Sequence, residues 1–284
     1  MREGRSTPAL SPRIVTEVTD VIVIGERING MFVDVRQAIL QKDAEPIRSL
    51  AQRQAEAGAH YLDVNVGPTG DDPVAAMQWL VGHIREVTDL PLTIDTTKRD
   101  VMRAGIEAAG GKAMINSTTG EHKKLDVLMP MAAEYGIPII ALTISEQGVP
   151  RDAMGRAEVA LNILAAALGH GVPPENVLID AVILPVSAQQ ENPGHVLATI
   201  AQTKLLADPP PKTVIGLSNV SQNAQYRELI NRTTLVMALG AGLDAAIVDC
   251  LDEELMEALI TAELLLNRQV YSGDFLKAYR ASHG

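Results

Sequence analysis

The chain has 284 residues and a formal net charge of −11 at pH 7. That surface repels phosphate backbones and makes nucleic acid a poor partner. Hydrophobic residues make up 46% but aromatics only 3%, so the core must be Ala, Val, Ile, Leu and Met, which favours helix-on-sheet packing over an aromatic-rich β-sandwich.

Residues 1–20 carry Pro, Ser and Gly without helical period and read as a mobile N-terminal extension, with a short strand at Arg13–Thr16. A strand–helix rhythm begins at Val21. The apolar run Val21–Gly25 precedes helical spacing over Pro46–Ala57. The pair repeats as Tyr61–Gly67 with Pro73–Val87, Leu92–Asp95 with Arg99–Ala109, and Ala113–Ser117 with Lys124–Tyr135. Pro138–Thr143 precedes Asp152–Leu168, and Val177–Asp180 precedes Gly194–Leu206. A seventh strand opening at Val214 precedes Tyr226–Leu239, and the eighth, Leu243–Asp249, precedes Glu253–Leu266; Gly273–Ala281 adds a short last helix.

Strands buried on both faces read as continuous apolar runs, and these do. Eight such pairs at this length predict an α/β fold, a (β/α)8 TIM barrel forming a single domain over residues 21–284. Val23–Gly30 lacks the G-x-G-x-x-G fingerprint of an open dinucleotide-binding sheet. No apolar run reaches the ~20 residues of a bilayer span, and no apolar stretch marks a secretory signal. A soluble cytoplasmic protein is expected.

A barrel builds its active site from the C-terminal ends of its strands. Here those ends carry Glu26, Arg27 and Asn29, then Asp63 and Asn65, Asp95, Asn116 and Ser117. The later strands add Asp180, Ser218, Asn219, Gln222, Asn223 and Asp249. No lysine ends a strand, which argues against Schiff-base catalysis. No histidine joins a carboxylate there, and with one cysteine neither a thiolate-clustered zinc site nor an internal disulfide can form, so no metal is expected. The six histidines form no set, and Trp79, Met114, Met129, Met131 and Cys250 read as core.

Carboxylates and amides together can read a flat heterocycle. A carboxylate accepts two parallel N–H bonds from an aminopyrimidinone edge, and an Asn supplies a donor and an acceptor. Structural readings compete: Asp95, before Thr96-Thr97-Lys98, could cap a helix, and Asn116 could shape a turn. Asp180 precedes Ala181-Val182-Ile183, where no helix starts. A shared site accounts for all three at once. The stretch Val214-Ile215-Gly216-Leu217-Ser218-Asn219 runs a buried strand into a polar loop, with Gly216 leaving room against the backbone and Asn219 at the end where a barrel places its binding groups.

The motifs Ile24–Phe32, Leu62–Gly67, Ile94–Thr97, Ala113–Thr118, Leu178–Asp180, Gly216–Asn223 and Leu243–Ile247 occur in this order. From about Val21 to Tyr279 the chain resembles the methyltetrahydrofolate:corrinoid protein methyltransferases. These are related to the folate domain of cobalamin-dependent methionine synthase and, more distantly, to dihydropteroate synthase. The resemblance implies that Asp95, Asn116 and Asp180 anchor the pterin and that Asn219 reaches N5. It implies that Gly216, Ser218, Gln222, Arg227 and Ile247 line or close the folate site. It further implies tetrahydrofolate or 5-methyltetrahydrofolate as substrate, a corrinoid (cobalamin) supplied by a partner corrinoid protein, and a homodimer. Dihydropteroate synthases typically carry a lysine on the seventh strand, where this chain has Leu217-Ser218-Asn219; that departure counts against para-aminobenzoate condensation. Another pterin enzyme of this barrel family and a non-catalytic pterin-binding subunit are the alternatives.

N5 of methyltetrahydrofolate leaves poorly unless it is protonated. A carboxamide does not titrate near neutrality, so Asn219 is expected to accept a hydrogen bond from protonated N5–H. The proton would then come through water, with Asp95 as a nearby carboxylate.

Overall fold

The computed structural model describes residues 19–68 and 72–268. Eight parallel strands close in sequence order into a barrel: β1 (Ile22–Asn29), β2 (Tyr61–Asn65), β3 (Leu92–Asp95), β4 (Ala113–Thr119), β5 (Ile139–Leu142), β6 (Val177–Asp180), β7 (Lys212–Gly216) and β8 (Ala245–Val248). The seam pairs β1 with β8, Ile22 opposite Ala245 and Ile24 opposite Ile247. The helices are α1 (Val33–Gln41), α2 (Glu45–Glu56), α3 (Pro73–Arg85), α4 (Arg99–Ala108), α5 (His122–Tyr135), α6 (Ala153–Gly169), α7 (Asn192–Thr203), α8 (Arg227–Gly240) and α9 (Glu253–Leu265). The TIM barrel expected from the sequence is the observed fold. Residues 1–18 of the extension, with the strand at 13–16, and the helix at 273–281 lie outside the described residues.

Two elements differ from expectation. Helix α1 was not foreseen: its N-cap is Phe32, with no side-chain cap, so the usual start signal is missing. Strand β1 does not stop at Gly25 but continues through a register shift to Asn29. At the bulge the Arg27 N–H turns outward to Gln54 Oε1, at 3.0 Å. At Gly25 a Cβ would lie 2.5 Å from Gln54 Oε1, so the missing side chain leaves room for the amide that bonds Arg27. Helix starts elsewhere follow local chemistry. Asp72, Asp152 and Asp252 each accept a bond from the backbone N–H three residues on, and Pro73 occupies a first turn.

Side chains alternate across a strand, so each strand feeds two cores. Outward residues such as Val23, Leu62, Ile94, Ile115, Ile179, Ile215 and Ala246 pack under the helices. Inward residues Ile24, Met114, Ile140, Leu178, Val214 and Ala245 form a separate buried cluster inside the barrel, with Ile22, Tyr61 and Ile247 against it. Two residues further along the same inward rows stand Glu26, Asp63, Asn116, Leu142, Asp180, Gly216 and Ile247, with Asp95 closing the row of β3. The interior is therefore apolar below and polar at the C-terminal rim.

Candidate active site

That rim opens into a cleft of about 530 Å³, a size suited to a small ligand. All nine residues expected to form a site, Asp95, Asn116, Asp180, Gly216, Ser218, Asn219, Gln222, Arg227 and Ile247, line it. Glu26, Asn29, Met31, Phe32, Asp63, Ser117 and Leu142 complete the wall. The residues come from all eight strands, from the turns after β1 and β7 and from the start of α8, so only closure of the barrel brings them together.

Asp95 is not a helix cap. Helix α4 starts at Arg99 with Lys98 as its N-cap, while Asp95 Oδ2 accepts from Asn65 Nδ2 at 2.7 Å. Asn65 is pinned in turn, its Oδ1 accepting from the Gly67 N–H. Asn116 sits within β4 rather than in a turn, and its Nδ2 donates to Asp63 Oδ1 at 2.9 Å. This orientation leaves the Asn116 carbonyl oxygen without a hydrogen-bond partner among the described residues, and it is not among the buried atoms left unsatisfied. Asp63 Oδ1 also accepts from Thr93 Oγ1 at 2.7 Å. Asp180 Oδ1 accepts the Val182 N–H at 2.7 Å, shaping the turn after β6. Behind it the buried Arg156 donates to Ala181 O at 2.7 Å and to Pro150 O at 3.0 Å.

After β7 the chain enters a 3-10 turn, Leu217–Asn219. Ser218 Oγ donates to Glu26 Oε1 at 2.7 Å, joining the turn to β1. Arg227 latches the turn from α8, its Nε donating to Ser221 Oγ at 3.1 Å and its NH2 to Ser218 O at 3.3 Å. The Gln222 carbonyl accepts from Ser187 Oγ, tying this loop to the one after β6. A Cβ on Gly216 would stand 3.0 Å from Asn219 Nδ2, so the missing side chain leaves space for the Asn219 amide.

Burial sets the charge state of these acids. It pushes Asp63 up to about 8, with the Asp95 charge adding to the shift and the Asn116 and Thr93 bonds opposing it. Burial also raises Asp95, against the Asn65 bond. Glu26 is pushed up to about 7 by burial, with its bond from Ser218 opposing. Asp180 is pushed up to about 6 by burial, opposed by the Val182 N–H and the Arg156 charge. Near neutrality the cleft thus offers both charged acceptors and carboxyls that still hold a proton.

The family model described as pterin binding enzyme matches residues 34–249. The chain belongs to this family. Among curated proteins, this pterin binding enzyme is 28% identical to the methylcorrinoid:tetrahydrofolate methyltransferase of Eubacterium limosum, over 92% of this chain and 96% of that one. It is 34% identical to the methionine synthase of Mycobacterium tuberculosis over 80% of its own length, but spans only 20% of that protein. Among solved structures, the dihydropteroate synthase of Xanthomonas albilineans with 4-aminobenzoic acid superposes with a TM-score of 0.66 at 19% identity, covering 87% of this chain and 93% of that one. That of Yersinia pestis with a pterine-sulfa conjugate gives 0.63 at 21%, covering 86% and 93%. At such identities the likeness concerns the fold.

Glu26 and Asp63 stood among the strand-end polar residues but received no role from the sequence. Inward parity was the signal that could have found them, since each lies two residues beyond an apolar inward position. Asn65 and Thr93 act one contact further out, holding Asp95 and Asp63. Cys250 is buried with its thiol pushed up to about 12 by burial, as a small core residue would be. Met114, Met129 and Met131 are buried, and Trp79 packs partly buried with its ring edge-on to His83. His60 accepts the Val23 N–H through Nδ1 and, like the other described histidines, does not line the cleft.

Proposed function

We propose that this pterin binding enzyme moves a methyl group between N5 of methyltetrahydrofolate and the cobalt of a corrinoid carried by a partner protein. The observation that carries the reading is the cleft itself. Acidic and amide side chains from separate strands converge around Asn219, and among the described residues the lining has no lysine, cysteine or histidine to act as a nucleophile. Such a site holds a substrate and leaves the attack to a reagent brought from outside. The near end-to-end match to the Eubacterium limosum methyltransferase supports the same assignment.

Asp180 and Asp95 accept N–H groups of the aminopyrimidinone edge, and the Asn116 carbonyl oxygen, turned to the cleft by Asp63, accepts another. Gly216, Ser218, Gln222, Arg227 and Ile247 line the rest of the folate site. In the forward sense the N5–CH3 bond breaks, its electron pair stays on nitrogen, and N5 gains a proton. The partner's reduced cobalt supplies the electron pair that accepts the methyl group. Asn219 accepts the bond from N5–H, which strengthens as positive charge builds there. We assign the proton to Glu26, fixed by Ser218 one residue before Asn219, with Asp95 as the second cleft-lining carboxyl. In the reverse sense Glu26 takes that proton back. A homodimer and a cytoplasmic setting belong to the same reading.

Mixing the protein with 5-methyltetrahydrofolate and cob(I)alamin tests it. Spectral conversion to methylcobalamin is expected. No conversion, together with condensation of para-aminobenzoate with an activated pterin, would transfer the chain to synthase chemistry.

A further inference from the structure

Arg156 is held almost wholly out of water, with 1% of its surface exposed, yet it makes no ion pair among the described residues. Its hydrogen bonds go to backbone carbonyls, Nε to Pro150 O at 3.0 Å and Nη1 to Ala181 O at 2.7 Å. It is the fourth residue of α6, where the partial positive charge of a helix start repels a cation. Burying a guanidinium without a bonded carboxylate costs free energy, and burial here lowers its hold on the proton. Neither the helix nor the apolar core gains from the charge.

What the charge faces is Asp180. Attraction to Asp180 leads the charge effects on Arg156, ahead of Asp152 at the N-cap of α6, and Arg156 in turn acts on Asp180. The other neighbours of Asp180 do not titrate: Leu142 and Thr143 from β5 and its end, Val214 on β7, Val182 in the following turn. Asp63, Asp95, Glu26 and Arg227 share the cleft lining but reach it from β2, β3, β1 and α8. The turn itself is clamped. Val182 is β-branched yet has φ 57°, a conformation such residues rarely adopt. Its N–H donates to Asp180 Oδ1 at 2.7 Å, its carbonyl accepts from Asn192 Nδ2 at 3.5 Å, and Arg156 holds the carbonyl just before it. With Oδ1 engaged, Asp180 Oδ2 has no hydrogen-bond partner among the described residues.

We propose that Arg156, which does not line the cleft, is the positioning residue for Asp180: it clamps the turn that aims this carboxylate at the ligand and supplies the buried positive charge that keeps it ionised. The inference rests on the folate reading above, in which Asp180 accepts N–H groups of the aminopyrimidinone edge. A neutral carboxyl offers that edge less acceptor capacity. Loss of Arg156 therefore weakens folate binding through Asp180, and most strongly at low pH.

The test is a double-mutant cycle of Arg156→Met and Asp180→Asn, read as affinity for 5-methyltetrahydrofolate by calorimetric titration from about pH 5 to about pH 9. Burial, opposed by Arg156, pushes Asp180 up to about 6, so wild-type affinity should be level above that pH and weaken below it. Without the guanidinium the carboxyl keeps its proton to higher pH. In Arg156→Met the onset of weakening should move up by about one pH unit, a gap of roughly fivefold near pH ~6 that narrows at alkaline pH. In the Asp180→Asn background the same substitution should change affinity by less than about twofold, since no carboxylate remains to be held. Arg156→Lys keeps the charge and decides the point if the Met variant does not fold: its onset should stay at the wild-type pH, with a smaller loss throughout. A loss equal at every pH, a Lys variant whose onset moves, or losses that add in the double variant would overturn the proposal and leave the folate reading standing. No binding by the wild type at any pH would overturn both.

Discussion

The lower and upper floors of the barrel interior are built from the same strands and the same inward rows, yet they do different work. Below, Ile24, Met114, Ile140, Leu178, Val214 and Ala245 are close to fully buried and touch one another. Above, two residues along, the same rows present Glu26, Asn116 and Asp180, while β2 adds Asp63. Burial on the lower floor stabilises the fold through apolar contact. On the upper floor burial acts on charge, holding carboxyls near neutrality where exposed ones would be fully ionised. Polar groups at the opposite end of the barrel show what structural polarity looks like. Asp244 accepts from Lys204 and from both the N–H and the hydroxyl of Thr213, and Arg85 donates to the carbonyls of Leu90, Ala109 and Lys112. Those groups satisfy one another, whereas the rim keeps acceptors open.

Substitutions should separate the two floors. The largest effect belongs below: Leu178→Ala should cost about 2–5 kcal/mol in urea unfolding and leave the folate affinity of the folded protein unchanged. An equal loss of affinity would show that the floors are not independent. One step up the same strand, Asp180→Asn should weaken methyltetrahydrofolate binding by roughly tenfold or more with little change in the melting temperature. Unchanged affinity in a titration would remove Asp180 from the anchors.

A smaller effect should follow pH. Folded Asp63, Glu26 and Asp180 hold their protons up to about 8, about 7 and about 6. In the unfolded chain such groups release them near pH ~4. Between those limits the unfolded state binds fewer protons, so stability without ligand should fall as pH rises from ~4 towards 8. Asp63→Asn should make that decline shallower, as urea unfolding across the range would show; an unchanged slope would mean that Asp63 ionises normally. The smallest effect is at Cys250, whose buried thiol should resist alkylation at pH 8 until the protein unfolds. Rapid labelling of the folded protein would contradict its place in the core.

Much of this was legible in the sequence for a simple reason. Strands covered on both faces must be apolar throughout, so Ile139–Leu142 or Val177–Asp180 stand out whatever surrounds them. The rim residues could be read because Asp95, Asn116 and Asp180 interrupt such runs at their ends. Less legible was β1, where the polar pair Glu26-Arg27 resembles the end of a strand and is instead a bulge bonded to Gln54. Helix α1 lacked a cap residue to announce it. The contacts among acids, Asp63 with Asn116 and Glu26 with Ser218, join residues 53 and 192 positions apart and follow from barrel closure alone.

The central claim is that Asn219 serves the transition state of methyl transfer more than it serves folate binding. Titration of Asn219→Ala with 5-methyltetrahydrofolate, followed by single-turnover transfer to cob(I)alamin on the same preparation, addresses it most directly. The expected result is a dissociation constant within about threefold of wild type and a transfer rate lower by roughly 10- to 100-fold, the loss of one hydrogen bond to a charged partner. Equal losses of affinity and rate, or a rate left intact, would contradict it.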